Sequence, residues 1–160
     1  MKRALPELAD VFRREYPRLV RALGAAAGRD AAADAVQDAF VQAARHWRRV
    51  RDYDDPAAWI RRVAVNRLTD QRRAARREAA ALPRIVIVNV TEPARPPSDV
   101  VRLVAGLPRG QRLAVCLFYL ADLNIAEVAE ALGVSAGTVK SQLHDARMAL
   151  RSQMETIDDS

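Results

Sequence analysis

The sequence predicts an all-α protein of two small helical domains joined by a Pro-rich linker. Apolar residues recur at helical spacing through most of the 160 residues, and four of the eight prolines fall within residues 79–99. The charge also differs on the two sides of this stretch. Residues 1–78 contain 18 Lys or Arg and 11 Asp or Glu, whereas residues 100–160 contain 6 and 7. The net charge of +6 therefore belongs to the N-terminal part, which predicts a surface for a polyanion there.

We expect a first domain at residues 1–78, a linker at 79–99, a second domain at 100–153 and a fraying polar tail at 154–160. The first helix is predicted over residues 6–26, where Pro17 could kink or divide it. Its core-facing residues would be Leu8, Val11, Phe12, Leu19, Val20 and Leu23.

The second helix is predicted to begin near Asp30, after a break at Gly28. Its packing residues would be Val36, Phe40, Val41 and Ala44. Its other face carries Asp34, Gln37, Asp38 and Gln42. Without further information, such a polar face is interpreted as solvated.

A loop at residues 48–56 precedes a third long helix that begins near Pro56. One side of that helix would bury Trp59, Ile60, Val63, Ala64 and Leu68. Another side presents Arg62, Asn66, Asp70, Arg73 and Arg77 at steps of three or four residues. This arginine density suits nucleic-acid phosphates, and Trp47, Tyr53 or Trp59 could stack on an unpaired base. A solvated charged face over buried tryptophans is the alternative.

The linker changes character abruptly, and its run at residues 85–90 is more apolar than a solvated spacer requires. Beyond it, Ser98 can cap a short helix that ends at Gly106. A further helix starts at Leu107 and Pro108. Its apolar stripe would be Leu113, Leu117 and Leu120.

Residues 124–150 have the spacing of a helix-turn-helix. Asn124 and Glu127 can form a capping box, Gly133 can end the first helix, Val134 can pack inward, and Ser135 can cap the second helix. The second helix would pack through Val139, Leu143, Ala146 and Leu150. Its leading end would expose Ala136, Gly137, Thr138, Lys140, Ser141 and His144 to a DNA major groove. An ordinary helical hairpin is the alternative.

The composition gives little support to other classes of protein. Cys116 is the single cysteine and lies in an apolar segment, so we expect a buried core residue rather than a disulfide or metal ligand. Apolar runs are shorter than the roughly 20 residues of a membrane helix, so we expect a cytoplasmic protein. His46 and His144 are far apart and no Gly-rich phosphate loop is present, so we expect neither an enzyme nor a cofactor.

Four segments in this order resemble the extracytoplasmic-function group of sigma factors, the compact sigma-70 class with only regions two and four. They are YPRLVRAL, DAVQDAFVQA, WIRRVAVNRLTDQRR and LPRGQRLAVCLFYLADLNIAEVAEALGVSAGTVKSQLHDARMAL. The helix-turn-helix alone resembles other regulators as well. Its combination with the two upstream helices, across a Pro-rich linker, makes the resemblance specific.

The resemblance implies three binding surfaces. Asp34, Gln37 and Asp38 would dock on the clamp helices of core RNA polymerase. The minus-ten element would be read and opened by Trp47, Tyr53, Arg62, Asn66, Asp70 and Arg73, with a flipped base in a loop pocket. The minus-thirty-five element would be contacted by Ser135, Thr138, Lys140, Ser141, His144 and Arg147.

Four residues depart from the family pattern. Gln142 and Asp145 stand where basic residues are common, which predicts weak binding to the upstream element. Ala33 and Ala35 stand where an acidic and a larger apolar residue are common, which bears on the strength of polymerase docking.

The resemblance further implies core RNA polymerase and promoter DNA as partners, a monomer when free, and no direct membrane insertion. An anti-sigma factor that wedges between the domains is a candidate partner, and residues 85–90 could belong to its footprint or to a closed resting form. Two alternatives stay open. One is a free-standing helix-turn-helix regulator, which would dimerise on a palindrome. The other is a sigma-like protein that binds a regulator but initiates poorly.

Overall fold

The computed structural model describes residues 7–81 and 99–158, with side chains for all of these except residues 79–81. These ranges contain helices and no strand, which confirms the all-α prediction. The helices are α1 (Leu8–Ala27), α2 (Arg29–Arg45), α3 (Trp47–Val50), α4 (Pro56–Ala81), α5 (Asp99–Ala105), α6 (Arg109–Leu120), α7 (Ile125–Leu132) and α8 (Ala136–Asp158). The linker at 82–98, its apolar run and the Ser98 cap lie outside the described residues. No helix within the described ranges is both long and apolar enough to cross a membrane.

The first two helices form a hairpin around Gly28. This glycine has a φ of +98°, a backbone angle that residues with a side chain rarely adopt. Its N–H donates to the Gly24 carbonyl at 2.9 Å. Pro17 lies inside α1 without dividing it.

Several side chains predicted to pack inward are exposed instead. Phe12 is 41% exposed and Val41 is 49% exposed, and Ala44 and Val134 are also classed as exposed. On α2 the core positions are Val36, Ala39, Phe40 and Ala43. Successive positions of an α-helix are rotated by about 100° around its axis. Val41 and Ala44 each follow a core position directly, so they point outward. Phe12 stacks on Tyr16 and meets Phe40 edge-on at ring-centroid distances of 4.7 and 4.9 Å, so the ring is partly covered at the surface.

Three predicted boundaries between helices and non-helical segments were also wrong. The loop at 48–56 contains most of α3, helix α4 continues through Ala81 into the predicted linker, and the predicted fraying tail is helical through Asp158. Alanine has the highest helix propensity, which explains the extension of α4 through residues 79–81.

The helix-turn-helix of α7 and α8 forms as predicted. Asn124 accepts a hydrogen bond from the Glu127 N–H at 2.8 Å, and Glu127 accepts one from the Asn124 N–H at 3.0 Å. Gly133 is left-handed with φ +69°, and the Ser135 hydroxyl accepts from the Thr138 N–H at 3.1 Å. Val139, Leu143 and Ala146 of α8 are buried, which confirms the predicted stripe, and Leu150 packs against it.

The helices before and after the linker are docked together. Helix α1 packs against α2 and α6, and α4 packs against α2 and α7. The buried apolar residues of all these helices form one continuous core. The docking places the turn of the helix-turn-helix over the first half of α4.

Candidate functional site

One candidate surface is the exposed face of α2. Asp34, Gln37 and Asp38 are all exposed there, and the Gln37 amide is within 3.5 Å of the Tyr16 hydroxyl. Val41 lies one turn further along the same face and is 49% exposed. Sequence reasoning assigned Val41 to the core, so its place beside the acidic residues was missed. The face combines carboxylates with an exposed apolar side chain, which suits a protein partner.

A second surface surrounds α3. Trp47 is half-buried against the core, and its neighbours Arg45, His46, Arg48 and Arg49 join it around a shallow depression. Tyr53 lies in the following loop and is 38% exposed. An aromatic ring beside several arginines can accommodate an unpaired base and the adjacent phosphates.

The predicted basic face of α4 is exposed to solvent, but one of its arginines contacts α7. Asn66, Asp70 and Arg73 are exposed to solvent. Arg62 is also exposed, but it is not free. Its Nη1 donates to the Glu130 carbonyl of α7 at 3.2 Å, and its guanidinium contacts Gly133. The docked second half of the chain therefore holds Arg62, one of the predicted DNA contacts.

Sequence reasoning missed the buried charge cluster next to Arg62. Arg61 is only 4% exposed and donates from Nε and Nη2 to the carboxylate of Glu15, which is 3% exposed, at 3.3 and 3.4 Å. Its Nη1 donates to Glu127 of α7 at 3.3 Å. The sequence contained a signal for the burial of Arg61, because this residue is one helical turn from both Ala57 and Val65, which are buried. Glu15 has the same relation to buried Val11 and Leu19.

The third surface is the leading part of α8. Lys140, Ser141 and His144 are exposed. The hydroxyls of Ser135 and Thr138 are 2.9 Å apart, so both take part in the helix cap. Arg147 Nε donates to the Tyr119 hydroxyl at 2.9 Å, and its guanidinium carbon lies 5.8 Å from the centre of that ring. Tyr119, which sequence reasoning missed, thus orients the last residue of the surface.

The residues that depart from the family pattern have distinct surroundings. Asp145 is exposed on α8, whereas Gln142 is half-buried and its amide lies close to Gly110 at the start of α6. Ala35 is fully buried in the core, and Ala33 is half-buried. Asp145 is therefore the one that adds a negative charge to the leading surface of α8.

The described residues contain no group of three His, Cys, Asp or Glu side chains arranged to hold a metal ion. Cys116 is fully buried, as predicted, and burial raises the pKa of its thiol to about 11 while the charge of Arg112 acts in the opposite direction.

Two family models match the chain. The sigma-70 region 2 model matches residues 11–78, and the sigma-70 region 4 model matches residues 98–150. The chain is 32% identical over 130 residues to the RNA polymerase sigma-E factor of Streptomyces avermitilis, covering 79% of this chain and 73% of that protein. It is 30% identical over 134 residues to the ECF RNA polymerase sigma factor SigL of Mycobacterium tuberculosis, covering 79% and 76%.

Two solved structures share the fold over both halves of the chain. The sigma factor RpoE from Bartonella quintana, in complex with the anti-sigma factor NepR, aligns with a TM-score of 0.72 at 20% identity, covering 92% of this chain and 95% of RpoE. CnrH, in complex with the cytosolic domain of CnrY, aligns with a TM-score of 0.65 at 24% identity, covering 93% and 88%. The chain belongs to the extracytoplasmic-function group of the sigma-70 family, whose members initiate transcription and are not enzymes.

Proposed function

We propose that this chain joins core RNA polymerase and directs it to promoters that carry a minus-ten and a minus-thirty-five element. Residues 1–78 dock on the polymerase and open the promoter, and residues 100–153 bind the upstream element. The polymerase supplies the chemistry, and this chain acts in the cytoplasm as a monomeric specificity subunit. One observation carries the proposal: a helix-turn-helix with an exposed leading end is linked in one chain to a helical unit with an acidic α2 face and a basic α4 face.

Each surface has a defined task in this proposal. Asp34, Gln37 and Asp38 contact the polymerase, with Val41 adding apolar area. The minus-ten element is contacted by Trp47, Tyr53, Arg62, Asn66, Asp70 and Arg73. The minus-thirty-five element is contacted by Ser135, Thr138, Lys140, Ser141, His144 and Arg147.

Engagement of both elements requires the docked halves to separate. Elements about 25 base pairs apart lie roughly 85 Å apart along B-form DNA, at about 3.4 Å per base pair. A compact chain of this length has a radius of gyration of about 15 Å. Contact with both elements at once is therefore incompatible with the docked form, in which α7 holds Arg62. We infer that the docked form is a resting state.

An anti-sigma factor is the further partner that we propose. The sigma factor RpoE has been solved with the anti-sigma factor NepR, and this chain shares its fold. A partner that grips both halves would keep Arg62 covered. Deletion of residues 85–90 tests their part in this interaction, and unchanged partner binding together with unchanged compaction would exclude it.

The deciding experiment is run-off transcription with purified core polymerase on promoters from the source genome, with and without this chain. New promoter-specific transcripts are expected. Arg73→Ala should weaken open-complex formation and leave polymerase binding intact, whereas Asp38→Ala should weaken polymerase binding. If both variants transcribe like the parent chain, the surface assignments are wrong.

The same reagents separate the proposal from a free-standing regulator. A regulator would bind a palindromic duplex without polymerase and as a dimer. Failure to co-purify with core polymerase, combined with such binding, would favour the regulator.

A further inference from the structure

A cluster of arginines lies where α4 meets α6, away from the surfaces described above except for Arg73. Arg72, Arg73 and Arg76 follow Thr69 at steps of three and four residues, so all four share one side of α4. Arg109 and Arg112 are three residues apart on α6. Arg109 Nη2 donates to the Thr69 hydroxyl at 3.0 Å, so the Arg109 side chain reaches from the first turn of α6 to this side of α4. We call these five arginines the seam cluster.

The seam cluster has positive charge without matching negative charge. None of its members forms an ion pair with another residue of the described ranges, and Asp70 and Glu78 on the same helix do not reach them. The Nε atoms of Arg109 and Arg112 are buried and have no hydrogen-bond acceptor. Buried donors without a protein acceptor are uncommon in native proteins, and water or a bound anion can serve as the acceptor.

The electrostatics agree with this geometry. Burial, followed by the charges of Arg72 and Arg112, lowers the pKa of Arg109, with smaller effects from Arg76 and Arg73. Burial, followed by the charges of Arg112 and Arg76, lowers the pKa of Arg72. The guanidinium groups therefore lie close enough to repel one another, and an anion placed among them would relieve that repulsion.

We propose that the seam cluster binds a compact oligophosphate, such as the phosphate chain of a free nucleotide. Guanidinium groups present paired donors that match phosphate oxygens, and several adjacent phosphates supply several negative charges within a short length. Arg72, Arg109 and Arg112 are half-buried, while Arg73 and Arg76 are exposed at the rim. This arrangement suits a small ligand that enters between two helix turns better than a continuous nucleic-acid strand.

Binding at the seam cluster would stabilise the docked form. Three of its arginines belong to the N-terminal half of the chain and two to the C-terminal half, so the site is complete only when the halves are together. An oligophosphate would thus hold Arg62 against α7 and oppose engagement of the promoter. This consequence rests on the proposed function, whereas binding of the anion does not.

The test is isothermal titration calorimetry, in which sodium tripolyphosphate is titrated into the full chain at constant ionic strength. Saturable binding of one anion per chain is expected, at least tenfold tighter than sulfate. The double variants Arg109→Gln/Arg112→Gln and Arg72→Gln/Arg76→Gln should each weaken binding by about 100-fold, taking about tenfold for each charge-assisted contact. The Arg72→Gln/Arg76→Gln variant keeps the proposal testable if the other double variant misfolds, because it retains the hydrogen bond between Arg109 and Thr69.

The control is Arg18→Gln/Arg21→Gln, which removes the same charge from exposed positions of α1. It should bind tripolyphosphate like the parent chain. An absence of saturable binding, or an equal loss in the control, would overturn the proposal. So would complete competition by a random DNA duplex with the same arginine dependence, because that result would assign the cluster to nucleic-acid backbone. No polymerase is present, so failure here is separate from failure of the proposed role in transcription.

Discussion

At the scale of single residues, the buried pair of Arg61 and Glu15 is the costliest polar feature of the described core. Arg61 serves both halves of the chain, since it also bonds Glu127 of α7. Removal of one partner of a buried ion pair leaves an uncompensated charge, whereas replacement of both by apolar groups is often neutral. The pair with Glu15 joins α1 to α4 within the N-terminal half, and only the bond to Glu127 links Arg61 to the other half.

We expect Arg61→Met to lower the free energy of unfolding by about 3 kcal/mol, because Glu15 would stay buried with only the exposed Arg14, at 3.3 Å, as its cation. Urea denaturation followed by circular dichroism measures this change. Arg67→Met is the matched control, since Arg67 is exposed on the same helix and should change stability by about 0.5 kcal/mol or less. The double variant Arg61→Met/Glu15→Leu should recover most of the loss. Equal effects of the Arg61 and Arg67 substitutions would contradict this account.

Cys116 gives a residue-scale prediction for pH. Its thiol has a folded pKa of about 11, above the ordinary value of 9.0, because burial disfavours the thiolate. The unfolded chain therefore loses this proton first as pH rises. The contribution to stability is complete below about pH 9 and falls between about pH 9 and 11. Denaturation at several pH values should show a shallower decline in Cys116→Ala than in the parent chain; identical slopes would exclude a contribution from this thiol.

At the scale of elements, the proposed DNA-binding surface of α8 is held by contacts within the C-terminal half. Its cap is formed by Ser135, and Arg147 is already held against Tyr119. Lys140 is the exposed cation closest to the leading end, while Asp145 places a negative charge on the same helix. Phosphate contacts determine the salt dependence of DNA binding, so these two residues should have opposite effects.

We expect Lys140→Ala to weaken binding to a duplex that carries the upstream element and to reduce the salt slope by about one. Asp145→Ala should strengthen binding. Fluorescence anisotropy at several salt concentrations measures both, with Glu155→Ala near the end of α8 as an inert control. A Lys140 variant with an unchanged slope would show that this side chain does not neutralise a phosphate.

The sequence predicted the long helices well, because apolar side chains recur along them with the period of a helix. It missed α3, whose four residues are too few to display that period. The buried pair of Arg61 and Glu15 was not predicted, because composition alone does not indicate whether an ion pair is buried. Their positions between Ala57 and Val65, and between Val11 and Leu19, carried the missing information.

The exposure of the candidate site residues was easier to predict than the contacts they make. Lys140, Ser141 and His144 lie on the side of α8 opposite its apolar stripe, so periodicity alone placed them. The contact of Arg62 with Glu130 and Gly133 joins residues far apart in sequence, and no local pattern indicates it.

At the scale of the whole molecule, docking and the proposed promoter binding would use the same helix, α4. The docked form buries Arg61 and occupies Arg62 through α7. The arginines of the seam cluster oppose docking when no anion is bound, since like charges from both halves face one another. The two halves also share an apolar core, so the charged residues at the junction adjust the balance between docked and separated forms and do not set it alone.

Reversal of one of these charges should shift that balance. Glu127→Lys would place a cation against Arg61, so we expect separation of the halves and a radius of gyration clearly above the roughly 15 Å of a compact chain of this length. Glu127→Gln removes the attraction but preserves the capping box, and it should separate the halves less. Asn124→Ala removes the cap and keeps the ion pair, so it should destabilise α7 by about 1 kcal/mol without expansion. Small-angle X-ray scattering distinguishes the three, and equal expansion in Asn124→Ala would attribute the effect to a damaged helix instead of charge. If separation releases Arg62 for the promoter, Glu127→Lys should also start transcription with core polymerase at least as well as the parent chain.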